Sequence, residues 1–303
     1  MSNRVNVVSH WTRSLELGKQ PSHADLRDHL VTVHHQNAGF TEACAWHCRD
    51  ENGINSYELL ADVIDPERHT RVLDLACGSG VLLDLCHQRH GSEVSLIGAD
   101  MSEAELTLAR KRLANTSVQL HQGLAQKLDF IPDRSIDVIL CHWALTLMEP
   151  VTAVMAEANR VLKPGGKFAA IVDGDAETAP GYAKIHDIIY AAVQREYPDY
   201  GAIELGDPRV RTAAALKSLA FESFPGARVS ITPVVLSLAS EPEVLAREAA
   251  GFFYASFVLS TPFHQQMLTD LATHFAGEKN NAAESRFALP VNQLVIQTNT
   301  TCQ

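Results

Sequence analysis

Between Arg71 and Gly80 the chain sets an acid, Asp74, within an apolar run of Val72, Leu73 and Leu75, then places two glycines one residue apart, Gly78 and Gly80. These residue types capture a ligand rather than break bonds. The glycines let the backbone take unusual dihedrals and come close to a bound molecule, while the carboxylate offers acceptors to a donor or a cation. The apolar run predicts a buried strand of a parallel sheet, and Val81 to His90 predicts a helix with Gly91 as its stop. A second strand, Val94 to Ala99, then delivers Asp100 at its tip. A strand, a glycine turn, a helix, a strand and a terminal acid form the nucleotide half-site of a doubly wound fold, whose ligands lie beyond the carboxyl ends of the strands. A dinucleotide site would need a third glycine where this chain has Leu83, together with helix-end amides to hold a pyrophosphate.

Asp74 ahead of the loop suits a ligand that carries an ammonium and a sulfonium and has no phosphate to cradle. Asp74-x-Ala76-x-Gly78-x-Gly80 resembles the first motif of class I S-adenosylmethionine-dependent methyltransferases of the type 11-like kind. The resemblance continues with Asp100 and with Leu162-Lys163-Pro164-Gly165-Gly166 before the fifth strand, and it covers residues 70 to 175. It implies a Rossmann-like, doubly wound α/β fold with a seven-stranded sheet, mostly parallel with an antiparallel edge strand, plus a helical lid. S-adenosylmethionine is the implied cofactor, met by Asp74, Ala76, Gly78, Ser79 and Gly80 of the first loop. Asp100 would take both ribose hydroxyls, and Met101 would lie against the adenine or serve as core filler. Leu124 and Ala125 would stand beside the base, and Cys141 beneath the methionine arm. Relatives usually carry an acid at the place of Leu124, so adenine recognition is expected to rest on backbone amides around Ala125 and on apolar stacking.

The fourth strand, within Ser135 to Leu145, brings His142 and Trp143 to the place where chemistry would occur. A histidine there either takes a proton from a substrate hydroxyl, amine or acidic carbon, because its pKa lies near working pH, or acts as a neutral hydrogen-bonded spacer. Trp143 either sets its ring near the sulfonium or plugs the end of the sheet. Methyl transfer is an in-line displacement that mainly requires alignment in a dry site, so cofactor residues are readable and the substrate is not. Trp46, Tyr57, Trp143 and Tyr182 are the candidate substrate contacts. Asp173 and Asp175 bind a cationic substrate or cap the next helix. Cys44, His47 and Cys48 share one helical face, with His34 or His35 as a possible fourth ligand, but the spacing matches no standard zinc module and no metal is expected.

Helices are predicted over 22–36 (capped by Ser22), 41–49 and 56–64, so residues 1–68 read as a helical lid. Residues 69–303 read as the methyltransferase-like domain, with helical cap insertions at about 180–220 and 241–280. Ser102 opens a helix to Ala114, with Glu105 completing a capping box. Val118 to Gln122 predicts the third strand, and Lys167 to Val172 the fifth, after a helix over 151–162 and a Pro164-Gly165-Gly166 turn. Helices over 182–197 and 208–219 and a strand over 229–238 follow. A last strand over 291–299 is expected to pair antiparallel at the sheet edge. Phe252, Phe253, Tyr254, Phe257 and Phe263 form either an apolar wall of the cap or simply its core.

The 303 residues suffice for one large domain or two smaller ones, and 46% hydrophobic content provides the core. With 36 acids against 25 bases and a formal net charge of -11, the chain is unsuited to gripping phosphate backbones or anionic lipid nonspecifically. A small-molecule partner is therefore expected, with no nucleic acid and no membrane. Six scattered cysteines fit a reducing cytoplasm, and residues 1–10 lack a signal-type apolar stretch. Nothing in the sequence indicates an oligomeric state. The leading expectation is a methyltransferase acting on a small metabolite. The alternatives are a SAM-consuming enzyme that does not methylate, such as an azetidine-2-carboxylate-forming cyclase releasing methylthioadenosine, and a noncatalytic SAM sensor. The incomplete pyrophosphate fingerprint disfavours a nicotinamide oxidoreductase.

Overall fold

The computed structural model describes residues 5–201, 206–277 and 285–300. The expectations that touch residues 1–4, 202–205 of the first cap insertion, 278–280 of the second and Cys302 lie outside the described residues. The chain opens with α1 (His10–Glu16), α2 (His23–Asn37), α3 (Glu42–His47) and α4 (Ser56–Ala61). It continues through β1 (Arg71–Leu75), α5 (Val81–His90), β2 (Ser95–Asp100), α6 (Glu103–Arg112), β3 (Gln119–Gln122), β4 (Ile136–His142), α7 (Val151–Val161) and β5 (Leu162–Asp173). After these come α8 (Tyr182–Gln194), α9 (Ala213–Ser223), β6 (Arg228–Ser240), α10 (Pro242–Phe252), α11 (Thr261–Gly277) and β7 (Ser285–Gln297).

The seven strands form one sheet in the order β3-β2-β1-β4-β5-β7-β6. The first five run parallel, with Leu73 opposite Ile97 on one side and Ile139 on the other. β7 runs antiparallel to β5, from Lys167 opposite Gln297 to Asp173 opposite Val291. This is the expected Rossmann-like, mostly parallel arrangement. It differs in one respect: β7 is not the outermost strand but lies between β5 and β6. The burial of the two strands explains the order, because β7 is covered on nearly every residue whereas β6 alternates between exposed and half-buried, as an edge strand does. The segment expected as one helix over 208–219 is a turn, Pro208–Val210, followed by α9. Thr212 is extended there and accepts the Ala215 amide, which starts a new helix.

The chain divides into two compact units. One comprises Ser56–Asp175, Gly206–Val234 and Val291–Gln303. Its core sits between the sheet and α7 and α9, where Phe168, Phe224, Met155, Leu216 and Ile296 are fully buried. The other comprises Met1–Asn55, Ala176–Leu205 and Val235–Pro290. Here α2 carries the expected cap, in which Ser22 and Asp25 exchange hydrogen bonds. Helix α1 was not anticipated; Ser9 and Thr12 close a capping box at its start. The Ser9 hydroxyl also meets His29 Nδ1 at 3.0 Å, and Trp11 stacks on that imidazole and receives the edge of Tyr200. Cys44 and Cys48 bring their sulfurs to 3.8 Å, and the hydrogen bond to Cys48 together with burial raises the Cys44 thiol pKa, keeping it protonated. Among the described residues no three metal-ligating side chains gather, and no helix is long and apolar enough to cross a membrane.

Candidate functional site

Asp74 lies in the middle of the sheet, opposite Gly98 of β2 and Leu140 of β4. The turn that follows is built from unusual dihedrals: Ala76 at φ 60°, Gly78 at φ 51° and Gly80 at φ 81°. Two hydrogen bonds close it, from the Cys77 amide to the Ala99 carbonyl at 3.0 Å and from the Gly80 amide to the Cys77 carbonyl at 2.9 Å. Ala76 is strained in this region, at a cost of about 1 kcal/mol that the surrounding sheet absorbs. Leu83 occupies the place where a dinucleotide motif has its third glycine, and the clearance comes from β2 instead. A Cβ on Gly98 would stand 2.6 Å from Leu83 Cδ1 and 2.9 Å from Cys77 Sγ, so Gly98 lets helix and loop close over the sheet.

The two acids at the strand tips have opposite surroundings. Asp100 is satisfied: its Oδ2 accepts the Gly78 amide at 2.9 Å and its Oδ1 the Ser102 amide at 2.8 Å. Asp74 is 1% exposed, and neither of its carboxylate oxygens has a hydrogen-bond partner. Burial, reinforced by the Asp100 charge, pushes its carboxyl up to about 8. Its neighbours offer no relief, since burial and Asp74 itself hold the Cys86 and Cys141 thiols up at about 12. An orphaned buried carboxylate beside a glycine turn requires a cation or a set of donors from outside. The ammonium of S-adenosylmethionine meets that requirement at Asp74, so the residues present fit this cofactor.

β4 ends at His142, two residues beyond the level of Asp74. The His142 ring is held on two sides, because Nε2 meets the Ser56 hydroxyl at 2.8 Å and Tyr57 stacks on it with centroids 3.9 Å apart. Burial drops its pKa to about 3, so it is a neutral hydrogen-bonding group at ordinary pH. Trp143 sits edge-on to it at 5.0 Å, at φ 52°, with its amide donating to the Ile171 carbonyl. Asp173 ends β5 on the same rim; burial raises its carboxyl, and the Arg211 charge works the other way.

The first loop, Asp100, Cys141, His142, Trp143 and Tyr57 thus belong to one unit and gather at one end of one sheet. Met101 is half-buried, and its carbonyl accepts the Gln122 side-chain amide at 3.3 Å. Leu124 is 37% exposed, Ala125 packs on the core and Cys141 buries its thiol there. Trp46, on α3, and Tyr182, at the head of α8, lie in the other unit, where Trp46 is largely exposed and Tyr182 stands 5.9 Å from Phe253. Ser56 escaped the sequence reading. A small hydroxyl opening a helix reads as a cap, and nothing local announces that it reaches a histidine 86 positions away.

A family model described as a methyltransferase domain matches residues 72–166, the span that holds both acids, the glycine turn and His142. Over this span the chain is similar to class I S-adenosylmethionine-dependent methyltransferases. The cofactor of that family is S-adenosylmethionine. Among curated relatives of this chain, a demethylmenaquinone methyltransferase of Symbiobacterium thermophilum is 35% identical over 104 residues, 33% of this chain and 41% of the relative. Another of the same name, from Chlorobaculum parvum, is 32% identical over 130 residues, 43% of this chain and 52% of that protein. The chain spans about half the length of the curated relatives it matches. Among solved structures, the YcgJ protein of a Bacillus has a TM-score of 0.55 at 16% identity, covering 80% of this chain and 98% of that one. The Haemonchus contortus phosphoethanolamine N-methyltransferase 2, solved with phosphomonomethylethanolamine and S-adenosylhomocysteine, gives 0.53 at 16%, covering 90% and 60%. At such identities the structural likeness speaks for the fold.

Proposed function

We propose that this protein transfers the methyl group of S-adenosylmethionine to a small-molecule metabolite by in-line displacement. The observation that carries the reading is the Asp74 carboxylate, buried beside the glycine turn with both oxygens unpartnered. The bound cofactor supplies an activated methyl on positive sulfur, and the protein's own residues have to bind, orient and exclude water. Asp74 holds the ammonium, Asp100 the ribose hydroxyls, and the Ala76–Gly80 turn offers its backbone at close range. His142, fixed by Ser56 and Tyr57 and kept neutral, orients the acceptor by hydrogen bonding and does not act as a strong base. Tyr57 and Trp143 provide aromatic surface beside it. The names of the curated relatives support a small acceptor, and the net charge of -11 argues against a nucleic-acid one. The five described cysteines are buried and free, which fits a reducing, cytoplasmic setting.

Purified protein incubated with the cofactor and pools of small metabolites, quinone precursors among them, should release S-adenosylhomocysteine together with a product heavier by one methyl, read by mass spectrometry. Methylthioadenosine formed without any acceptor would replace this reading with cyclisation of the cofactor. Tight binding with no turnover across the pools would replace it with a sensor.

A further inference from the structure

Helix α6 starts directly after Asp100 and turns one stripe of side chains toward the first loop. Ser102 caps it, and the Glu105 carboxylate lies 3.9 Å from where a Cβ on Gly78 would stand. One turn on, Ala109 and Leu113 come within 3.1 Å and 3.0 Å of a Cβ built on Gly80. Positions 102, 105, 109, 112 and 113 recur at helical spacing, so they occupy one face. Arg112 completes the stripe. Its Nη1 donates to the Ser79 carbonyl at 2.6 Å and to the Ser79 hydroxyl at 2.8 Å. Ser79 is itself buried, at 4% exposure, between the two glycines. Both glycines are in the left-handed region, where the unliganded chain has the most freedom to lose, so a side-chain hold on Ser79 between them adds to the backbone bonds that close the turn.

We propose that Arg112 is a positioning residue that clasps the cofactor turn through Ser79. The clasp keeps the backbone of residues 78–80 in its ligand-ready form, so that binding does not have to order it. The guanidinium is suited to this because it is permanently charged and presents its donors in a rigid plane, which a lysine does not reproduce. The inference rests on the cofactor reading for its effect on affinity, but the geometry of the clasp stands apart from it.

The test compares Arg112→Ala, Arg112→Lys, Ser79→Ala and the double variant Arg112→Ala/Ser79→Ala with the wild type, using S-adenosylhomocysteine as the calorimetric probe. Lys111→Ala, one position along the same helix, is the control for a change of one charge. Arg112→Ala should weaken binding about tenfold, the cost of losing a charge-assisted bond at a partly wet site. Arg112→Lys should recover part of that loss. The double variant should fall short of the sum of the single effects, and Lys111→Ala should bind as the wild type does. In the absence of ligand, hydrogen exchange at residues 78–81 should quicken in Arg112→Ala while the melting temperature moves little. Wild-type exchange in that variant, additive losses in the cycle, or an equal loss in Lys111→Ala would overturn the clasp. A wild type that fails to bind the probe would overturn the cofactor reading instead, and exchange would still decide the clasp.

Discussion

Replacing Asp74 with asparagine removes an ionisable group and leaves nearly the same shape. In the unfolded chain the carboxyl titrates near 3.8, whereas in the folded apo protein burial and the Asp100 charge carry it to about 8. Between these values the folded state holds a proton that the unfolded state has released, so stability is greatest below pH 4 and is lost as pH rises toward 8. The slope is one proton, or about 1.4 kcal/mol per pH unit, and the sum at pH 7 is on the order of 4 kcal/mol. Asparagine cannot ionise and shows none of this. Burial also raises Asp173 and Glu248 and lowers His29 and His142, but these groups are common to both proteins and cancel in the difference. Denaturant melts at half-unit steps from pH 4 to 8.5 should therefore give curves that meet at low pH and diverge upward, with Asp74→Asn the more stable. Ligand binding should behave oppositely. The wild type should release close to one proton on taking up S-adenosylhomocysteine at pH 7, read calorimetrically in buffers of different ionisation heat. The variant should release none and bind about a hundredfold more weakly, because the ammonium loses its buried counter-charge. Parallel stability curves, or equal proton release, would refute the reasoning.

His142 stays neutral from pH 5 upward, so the pH profile of kcat/KM should show no limb that His142→Asn abolishes, while the substitution lowers kcat/KM about tenfold for the lost hydrogen bond; a limb near 6.5 that vanishes in the variant would restore the base role. Gly98→Ala drives a methyl into Leu83, Leu120 and Cys77 and should cost about 1–3 kcal/mol, visible as a lowered melting temperature, with cofactor affinity falling because Cys77 begins the turn; an unchanged melting temperature would show that the three neighbours yield freely.

The cofactor turn was legible because its requirements are local. An acid, two glycines and a following helix must be contiguous, and Asp74 to His90 are; their dihedrals and the helix span came out as the sequence implied. What depended on distant partners was not legible. The interior place of β7 follows from which faces of β5 and β6 are left over once the parallel strands have paired, and no window of residues states that. For His142 the sequence leaves both a base and a neutral hydrogen-bonded spacer open, because the Ser56 and Tyr57 contacts that bear on the choice lie far away in sequence. Arg112 sat in the last turn of a helix, where a basic residue is common for the macrodipole alone. Its spacing from Ser102, Glu105 and Ala109, which puts it on the face toward the loop, is the one signal that could have set it apart.

The antiparallel pairing of β5 with β7 joins residues 167–173 to residues 291–297, across more than a hundred positions of intervening chain. A nascent polypeptide emerging from the ribosome therefore completes five strands with an open flank of unmet carbonyls and amides, and must travel through α8 to α11 and β6 before the covering strand is made. During that interval the apolar edge invites strands from neighbouring chains. Translation rate through residues 174–290 and chaperone supply, more than the strength of the finished sheet, would then govern the yield of active protein in a foreign host.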